Sequence, residues 1–309
     1  MALLDNAIVR LLPAMPRPVV RRISSRYIAG DYLPDATATV RALNEEGKLA
    51  TIDVLGEEIT NEAETHVIAR AYEEVLSEIA RRHLLSNVSV KPTALGLGLD
   101  YGLCRENLRR LLGFARIRGT FVRIDMEDAT TTDATLDLYR ELRAEGFENV
   151  GIVLQASLKR TVADVDALAP LKPNVRLCKG IYVEAPSIQY RDDNNVRTSF
   201  LRSLEGLFEA GCYVGVATHD DYLVIAAERL AFERKLSRDD FEFQMLLGVR
   251  PVLGDKIVSR YHKLRIYVPF GDYWYEYSLR RLQENPSIAG YIASDTVGRV
   301  IRPGRNGSR

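Results

Sequence analysis

Residues 120–155 read TFVRIDMEDATTTDATLDLYRELRAEGFENVGIVLQ. A short β-rich run, Thr120–Asp125, is followed by an amphipathic helix over Thr132–Glu145 and a second apolar run, Val150–Gln155. This is one strand–helix unit with the next strand attached. The same texture recurs outward at Asn87–Lys91, Val175–Lys179, Tyr213–Thr218, Phe241–Met245 and Leu264–Val268. Helical stretches at Asn194–Ala210, Asp220–Lys235 and Pro251–Tyr261 separate the later runs. Successive strand ends lie about 25–40 residues apart, the length of one such unit. Repeated units imply a parallel sheet. Seven strands are visible where a closed (βα)8 barrel needs eight, so the expected α/β fold is a distorted barrel with one strand unplaced. An open doubly wound sheet is the alternative.

Upstream, residues 1–85 read as helical, with no strand signal. Ala36–Glu46 and Asn61–Arg82 carry apolar residues at helical spacing, with Asn61 as a cap and Glu64 completing a capping box. The expected organisation is a helical segment at 1–85, a catalytic barrel at 86–290 and a partly disordered tail at 291–309.

The chain has 309 residues, 46% hydrophobic and 27% charged, which supports a large core and excludes low-complexity classes. No run of about 18 apolar residues exists that would cross a membrane as a helix. The net charge is zero, but unevenly distributed. Residues 1–30 sum to +4 (Arg10, Arg17, Arg21, Arg22 and Arg26 against Asp5), and residues 295–309 to +3. An acidic body with basic ends does not suit duplex nucleic acid. The basic N-terminal segment has three candidate uses: docking on an anionic membrane, packing on the barrel, or an oligomer contact. Cys104, Cys178 and Cys212 form no CxxC, which fits a reducing, cytoplasmic setting without structural zinc. His66, His83, His219 and His262 lack metal-cluster spacing, and no metal is expected; His66 and His83 read as helix-surface residues.

In a βα barrel the chemistry sits at the C-terminal ends of the strands. Here those ends carry Lys91, Asp125 with Glu127, Gln155, Arg176 with Lys179, Thr218 with His219, Gln244 and Tyr267. Any one of these is an ordinary loop start; the set reads as a site. After Gly271 comes DYWYEYSLRRLQENP, in which Tyr277, Arg280, Arg281 and Glu284 fall within about 100° of helical arc. Adjacent guanidinium groups on one face suit a carboxylate. Residues 93–102 are glycine-rich, but Tyr101 breaks the dinucleotide fingerprint.

The segments SVKPTALG (89–96), RIDMED (123–128), GIVLQA (151–156), VRLCKGIYVE (175–184), VATHD (216–220), FEFQMLLG (241–248), RIYVPFG (265–271) and YSLRRLQEN (277–285) occur in one order and spacing. By these the chain resembles the proline dehydrogenase family, in its short monofunctional form. The resemblance implies a distorted barrel holding FAD noncovalently, with a final helix over the mouth. It implies oxidation of L-proline to pyrroline-5-carboxylate, the first step of proline catabolism. The hydride would pass from proline C5 to flavin N5, and the electrons to a membrane quinone. It further implies that Arg280, Arg281 and Lys91 bind the proline carboxylate and that Glu284 pairs with the arginines. Leu177, Tyr182, Tyr267 and Tyr277 would wall the ring. Asp125 would have a catalytic or orienting role, and Arg176 would bond near flavin N5. Met126, Gln155, Lys179, Gly180, Ile181, Thr218 and His219 would contact FAD. The rival readings are a Schiff-base lyase using Lys179 and a non-catalytic amino-acid-binding barrel. A cytoplasmic protein peripheral to the inner face of the membrane would fit the quinone acceptor.

Overall fold

The computed structural model describes residues 20–21, 24–56, 59–275 and 277–279. Eight parallel strands close into a barrel in sequence order: β1 (Leu49–Val54), β2 (Ser86–Val90), β3 (Val122–Ile124), β4 (Val150–Gln155), β5 (Asn174–Cys178), β6 (Tyr213–Ala217), β7 (Phe241–Leu246) and β8 (Leu264–Phe270). β1 pairs with β8 in parallel, Ala50 opposite Ile266 and Ile52 opposite Val268, so the open-sheet alternative does not hold. Eight α-helices with bounds fixed within the described residues surround or precede the strands. They are α1 (Leu33–Glu45), α2 (Glu62–Arg82), α3 (Tyr101–Ile117), α4 (Thr132–Ala144), α5 (Thr161–Leu168), α6 (Asp193–Glu209), α7 (Asp221–Glu233) and α8 (Pro251–Ser259).

The unplaced strand is β1, LATIDV, inside the segment read as helical. The barrel therefore begins at Leu49, not at residue 86. Ala50, Ile52 and Val54 belong to the core, while Thr51 and Asp53 are buried polar groups. Thr51 and Asp53 interrupt the apolar run that would have marked a buried strand. α2 starts as its sequence suggests: Asn61 Oδ1 accepts from Glu64 N at 3.1 Å. Glu64 turns back one residue further than a capping box requires, to the amide of Thr60 at 2.7 Å. His66 and His83 are exposed on this helix and its end.

The lumen is polar where such barrels are ordinarily filled by branched apolar side chains. Arg123 of β3 is fully buried and donates to the Ile152 carbonyl at 3.0 Å and to Asn174 Oδ1 at 2.5 Å. Burial, with the positive charge of Arg176 added, lowers its pKa to about 9. It fits because Gly151 faces it: a methyl there would overlap the guanidinium. Arg265 of β8 forks onto buried Glu242 of β7 at 2.6 and 3.0 Å. Burial alone would raise the Glu242 carboxyl, but the Arg265 charge and the bonds to it hold it below its usual range.

An N-terminal segment crosses the barrel beside β8. Ala29 N donates to the Pro269 carbonyl at 2.9 Å, and Gly271 N to the Gly30 carbonyl at 3.1 Å. Tyr27 and Ile28 pack with Leu55 and Tyr277, flanked by Trp274. Arg21 forks onto Asp31 at 2.6 and 2.8 Å and lies 4.6 Å above the Trp274 ring. Of the three uses foreseen for the basic segment, its described part, residues 20–21 and 24–30, thus packs on the barrel. Arg10, Arg17 and Arg22, and the tail at 291–309, lie outside the described residues.

Candidate active site

Three strands converge on one carboxylate. Asp125 follows β3, and Arg176 and Tyr267 lie on β5 and β8. Asp125 Oδ1 accepts from Ser89 Oγ at 2.5 Å and from Arg176 Nη1 at 2.8 Å, and Oδ2 accepts from the Tyr267 hydroxyl at 3.1 Å. The Arg176 guanidinium carbon lies 5.2 Å from the Tyr267 ring centre. Burial, then the Asp125 charge, pushes the Tyr267 hydroxyl well above the usual phenol range, so it remains a donor. Each charged group here has a charge-assisted bond, which offsets part of the cost of burying it.

Beside this cluster is a second buried ion pair. Lys91 Nζ lies 2.9 and 3.0 Å from the two oxygens of Asp53. The Tyr72 hydroxyl sits 3.0 Å from Asp53 Oδ1 and 2.7 Å from the Ser89 carbonyl. Burial, then the Asp53 charge, raises Tyr72 well above the usual phenol range. Sequence reasoning found Lys91 but missed Asp53 and Tyr72, because both lie in the segment read as helical preface. It also left Ser89 out, although Ser89 stands two residues before Lys91 and so on the same strand face.

The mouth continues along β4 to β7. Gln155 Nε2 donates to the Glu127 carbonyl at 2.8 Å, and Met126 is buried next to it in sequence. Gly180 has φ +94°, and a methyl there would stand 2.5 Å from Ser157 Oγ and 3.1 Å from the Gln155 side chain. Lys179 and Arg197 both hold Asp220 at 2.8 Å. Burial alone would raise Asp220, but the bonds from Arg197 and Lys179 bring it down to about 2. Asp220 N donates to Thr218 Oγ1 at 3.1 Å. His219 Nε2 accepts from Leu246 N at 2.9 Å, and burial followed by the Arg250 charge lowers its pKa to about 4. The imidazole is therefore neutral near pH 7, with its proton on Nδ1. Ile181 and Tyr182 are half-buried in the loop after β5.

Leu177 is the predicted site residue that the fold sets apart. It is fully buried in the main core, opposite Leu154 and Val216 in register. Strand alternation turns it away from the face that carries Arg176. Tyr277 is 4% exposed, in the small cluster under the N-terminal segment. Arg280, Arg281 and Glu284 lie outside the described residues.

The donor set fits a flavin dinucleotide. Gly180, at φ +94°, lets the loop after β5 lie against Ser157 and Gln155 without a side chain at the mouth, and cations at Lys179 and Arg197 stand at the same end of the barrel.

Comparison with known proteins bears on this site. Residues 36–294 match the family model described as proline dehydrogenase. The chain is 37% identical over 267 residues to proline dehydrogenase 1 of Bacillus subtilis (strain 168), covering 86% of this chain and 88% of that protein. It is 34% identical over 285 residues to the proline dehydrogenase of Deinococcus radiodurans, covering 90% and 91%. Among solved structures, proline utilization A from Bdellovibrio bacteriovorus superposes with a TM-score of 0.81 at 24% identity, over 88% of this chain and 34% of that one. That likeness supports the barrel fold.

Proposed function

This chain belongs to the proline dehydrogenase family, and from that premise we propose that its barrel mouth binds FAD and L-proline and removes a hydride from proline C5. It is an oxidoreductase of the first step of proline catabolism. The observation that carries the finer reading is the convergence of Asp125, Arg176 and Tyr267 on one point beside the Lys91–Asp53 pair.

Proline is a small zwitterion, so its carboxylate needs paired cations. Lys91 supplies one, and Arg280 and Arg281 the others, steadied by Glu284. Tyr182, Tyr267 and Tyr277 bound the ring and exclude water. An aromatic, water-poor pocket disfavours the ammonium form of the amine. The neutral nitrogen lone pair then stabilises the iminium that develops as C5 loses its hydride. Asp125, held by Ser89, Arg176 and Tyr267, orients the reacting centre. Met126, Gln155, Lys179, Gly180, Ile181, Thr218 and His219 would hold the cofactor, and Arg176 would supply a positive charge toward it. When bound, FAD would supply the acceptor for the hydride and the route for the electron pair to a membrane quinone.

The lyase alternative is less well supported, because the Lys179 ammonium is engaged with Asp220 at 2.8 Å. The test is the absorbance spectrum of the purified protein before and after anaerobic proline. A yellow protein that bleaches supports the reading; a colourless one trapped by borohydride with a carbonyl substrate refutes it. No helix among the described residues is long and apolar enough to cross a membrane, and the proposed route to a quinone is peripheral docking. Flotation with anionic liposomes, with and without residues 8–28, tests that part.

A further inference from the structure

Arg176 on β5 and Gln244 on β7 are not on neighbouring strands; β6 runs between them. They nevertheless meet, Arg176 Nε donating to Gln244 Oε1 at 2.6 Å. The contact exists because the β6 residue in register with Arg176 is Gly215, and a methyl there would overlap the Gln244 amide. The amide cannot be turned round. Its Nε2 donates to Glu242 Oε1 at 2.7 Å, and Glu242 is ionised by the fork from Arg265 and by the Tyr213 hydroxyl at 3.0 Å. An ionised carboxylate only accepts, so Gln244 must show Glu242 its NH2 and Arg176 its oxygen.

The guanidinium is thereby anchored at two of its three nitrogens. Gln244 takes Nε, and Asp125 with Ser89 takes Nη1. Two anchors define the plane of a rigid fork. Among the described residues Nη2 has no hydrogen-bond partner, so it is the edge left for a bound group.

We propose that Gln244 is a positioning residue that fixes the plane of Arg176 through Gly215, with buried Glu242 setting the sense of its amide. The inference rests on the proposed proline oxidation, because it takes Arg176 to face the reduced cofactor. Arg176 with its Nε unanchored can rotate about its side chain, and misplacement of order 1 Å costs about a hundredfold in rate.

The test uses the holoenzyme and three variants: Gln244→Met, Gly215→Ala and Gln244→Glu. Flavin content, anaerobic bleaching rate at saturating proline, proline KM and flavin midpoint potential are measured for each. Gln244→Met and Gly215→Ala should keep their flavin and bleach about ten- to a hundredfold more slowly. Their KM should change by less than about threefold, since the carboxylate is bound elsewhere. Their potential should fall, because an unaimed cation stabilises the reduced flavin less.

Gln244→Glu distinguishes aim from mere packing. Residue 244 is faced by Glu242 on its own strand, Arg265 on β8, Arg176 on β5, Tyr213 on β6 and, through Arg176, Asp125. Two carboxyls sharing one site retain a proton. The protonated form donates to Glu242 and still accepts from Arg176, as glutamine does. The variant should therefore approach wild-type rates at low pH and lose activity relative to wild type as pH rises. The inference is overturned if Gln244→Met bleaches at the wild-type rate with the wild-type potential. It is also overturned if Gln244→Glu matches Gln244→Met at every pH. Wild-type enzyme that proline does not bleach would refute the functional reading instead, and the midpoint potentials would still decide the role of Gln244.

Discussion

Replacing Asp53 by Ala takes away the carboxylate that Lys91 holds at 2.9 and 3.0 Å, in a place where the Lys91 side chain is 7% exposed. Both bonds are lost, and the Asp53 side chain is fully buried. Breaking a buried pair by removing one partner costs about 3–5 kcal/mol, because the surviving charge stays desolvated. For a chain of this size that is a fall in melting temperature of roughly 6–15 °C. Lys91→Met should cost a similar amount, as the fully buried Asp53 carboxylate loses both of its bonds to the ammonium. The double variant removes both charges together, so it should be no worse than the poorer single variant. The coupling in the cycle is then about 3 kcal/mol, well beyond the ~0.5 kcal/mol scatter of independent sites. Urea and thermal unfolding of the four proteins, followed by circular dichroism, provide the measurement. A double variant whose loss equals the sum of the two singles would refute the argument that each charge needs the other.

Four further outcomes are expected. Tyr267→Phe removes the hydroxyl from Asp125 Oδ2, worth about 1.5 kcal/mol for a bond to a charged group, so kcat/KM for proline should drop roughly tenfold; steady-state kinetics check it. Arg281→Met should raise KM for proline by orders of magnitude with flavin still bound, and unchanged kinetics would remove the carboxylate assignment. Gly180→Ala forces a side chain into φ +94° and against Ser157, so purified protein should carry less flavin per chain by absorbance ratio. His219 has its pKa lowered from 6.5 to about 4 in the fold, so the unfolded chain binds the extra proton first. Stability should fall as pH drops from 6.5 toward 4, and His219→Gln should flatten that part of a melting-temperature profile.

Much of the site was legible because its residues close successive strands. Lys91, Asp125, Gln155, Arg176, Thr218 and Tyr267 stand near the ends of apolar runs, and in a parallel barrel those ends meet. Asp53 was not legible, because a strand with Thr51 and Asp53 on its lumen face shows no continuous apolar run. Leu177 was read from the resemblance alone; alternation with Arg176 puts it on the helix side.

The seven strands from Ser86 onward and the parallel sheet they imply, the neutral sum made of an acidic body and basic ends, and the family resemblance were determined by the amino-acid sequence alone. Each depends on local periodicity or on residues near one another along the chain. Only the tertiary structure decided that Asp125 is held by groups from β2, β5 and β8, that Gly215 opens a path from Arg176 to Gln244, and that Lys91 is matched by Asp53. Those pairings join residues up to 142 positions apart, as Tyr267 and Asp125 are. They arise from closing the sheet into a ring, and no periodicity along the chain records which lumen-facing side chains the closure will bring together.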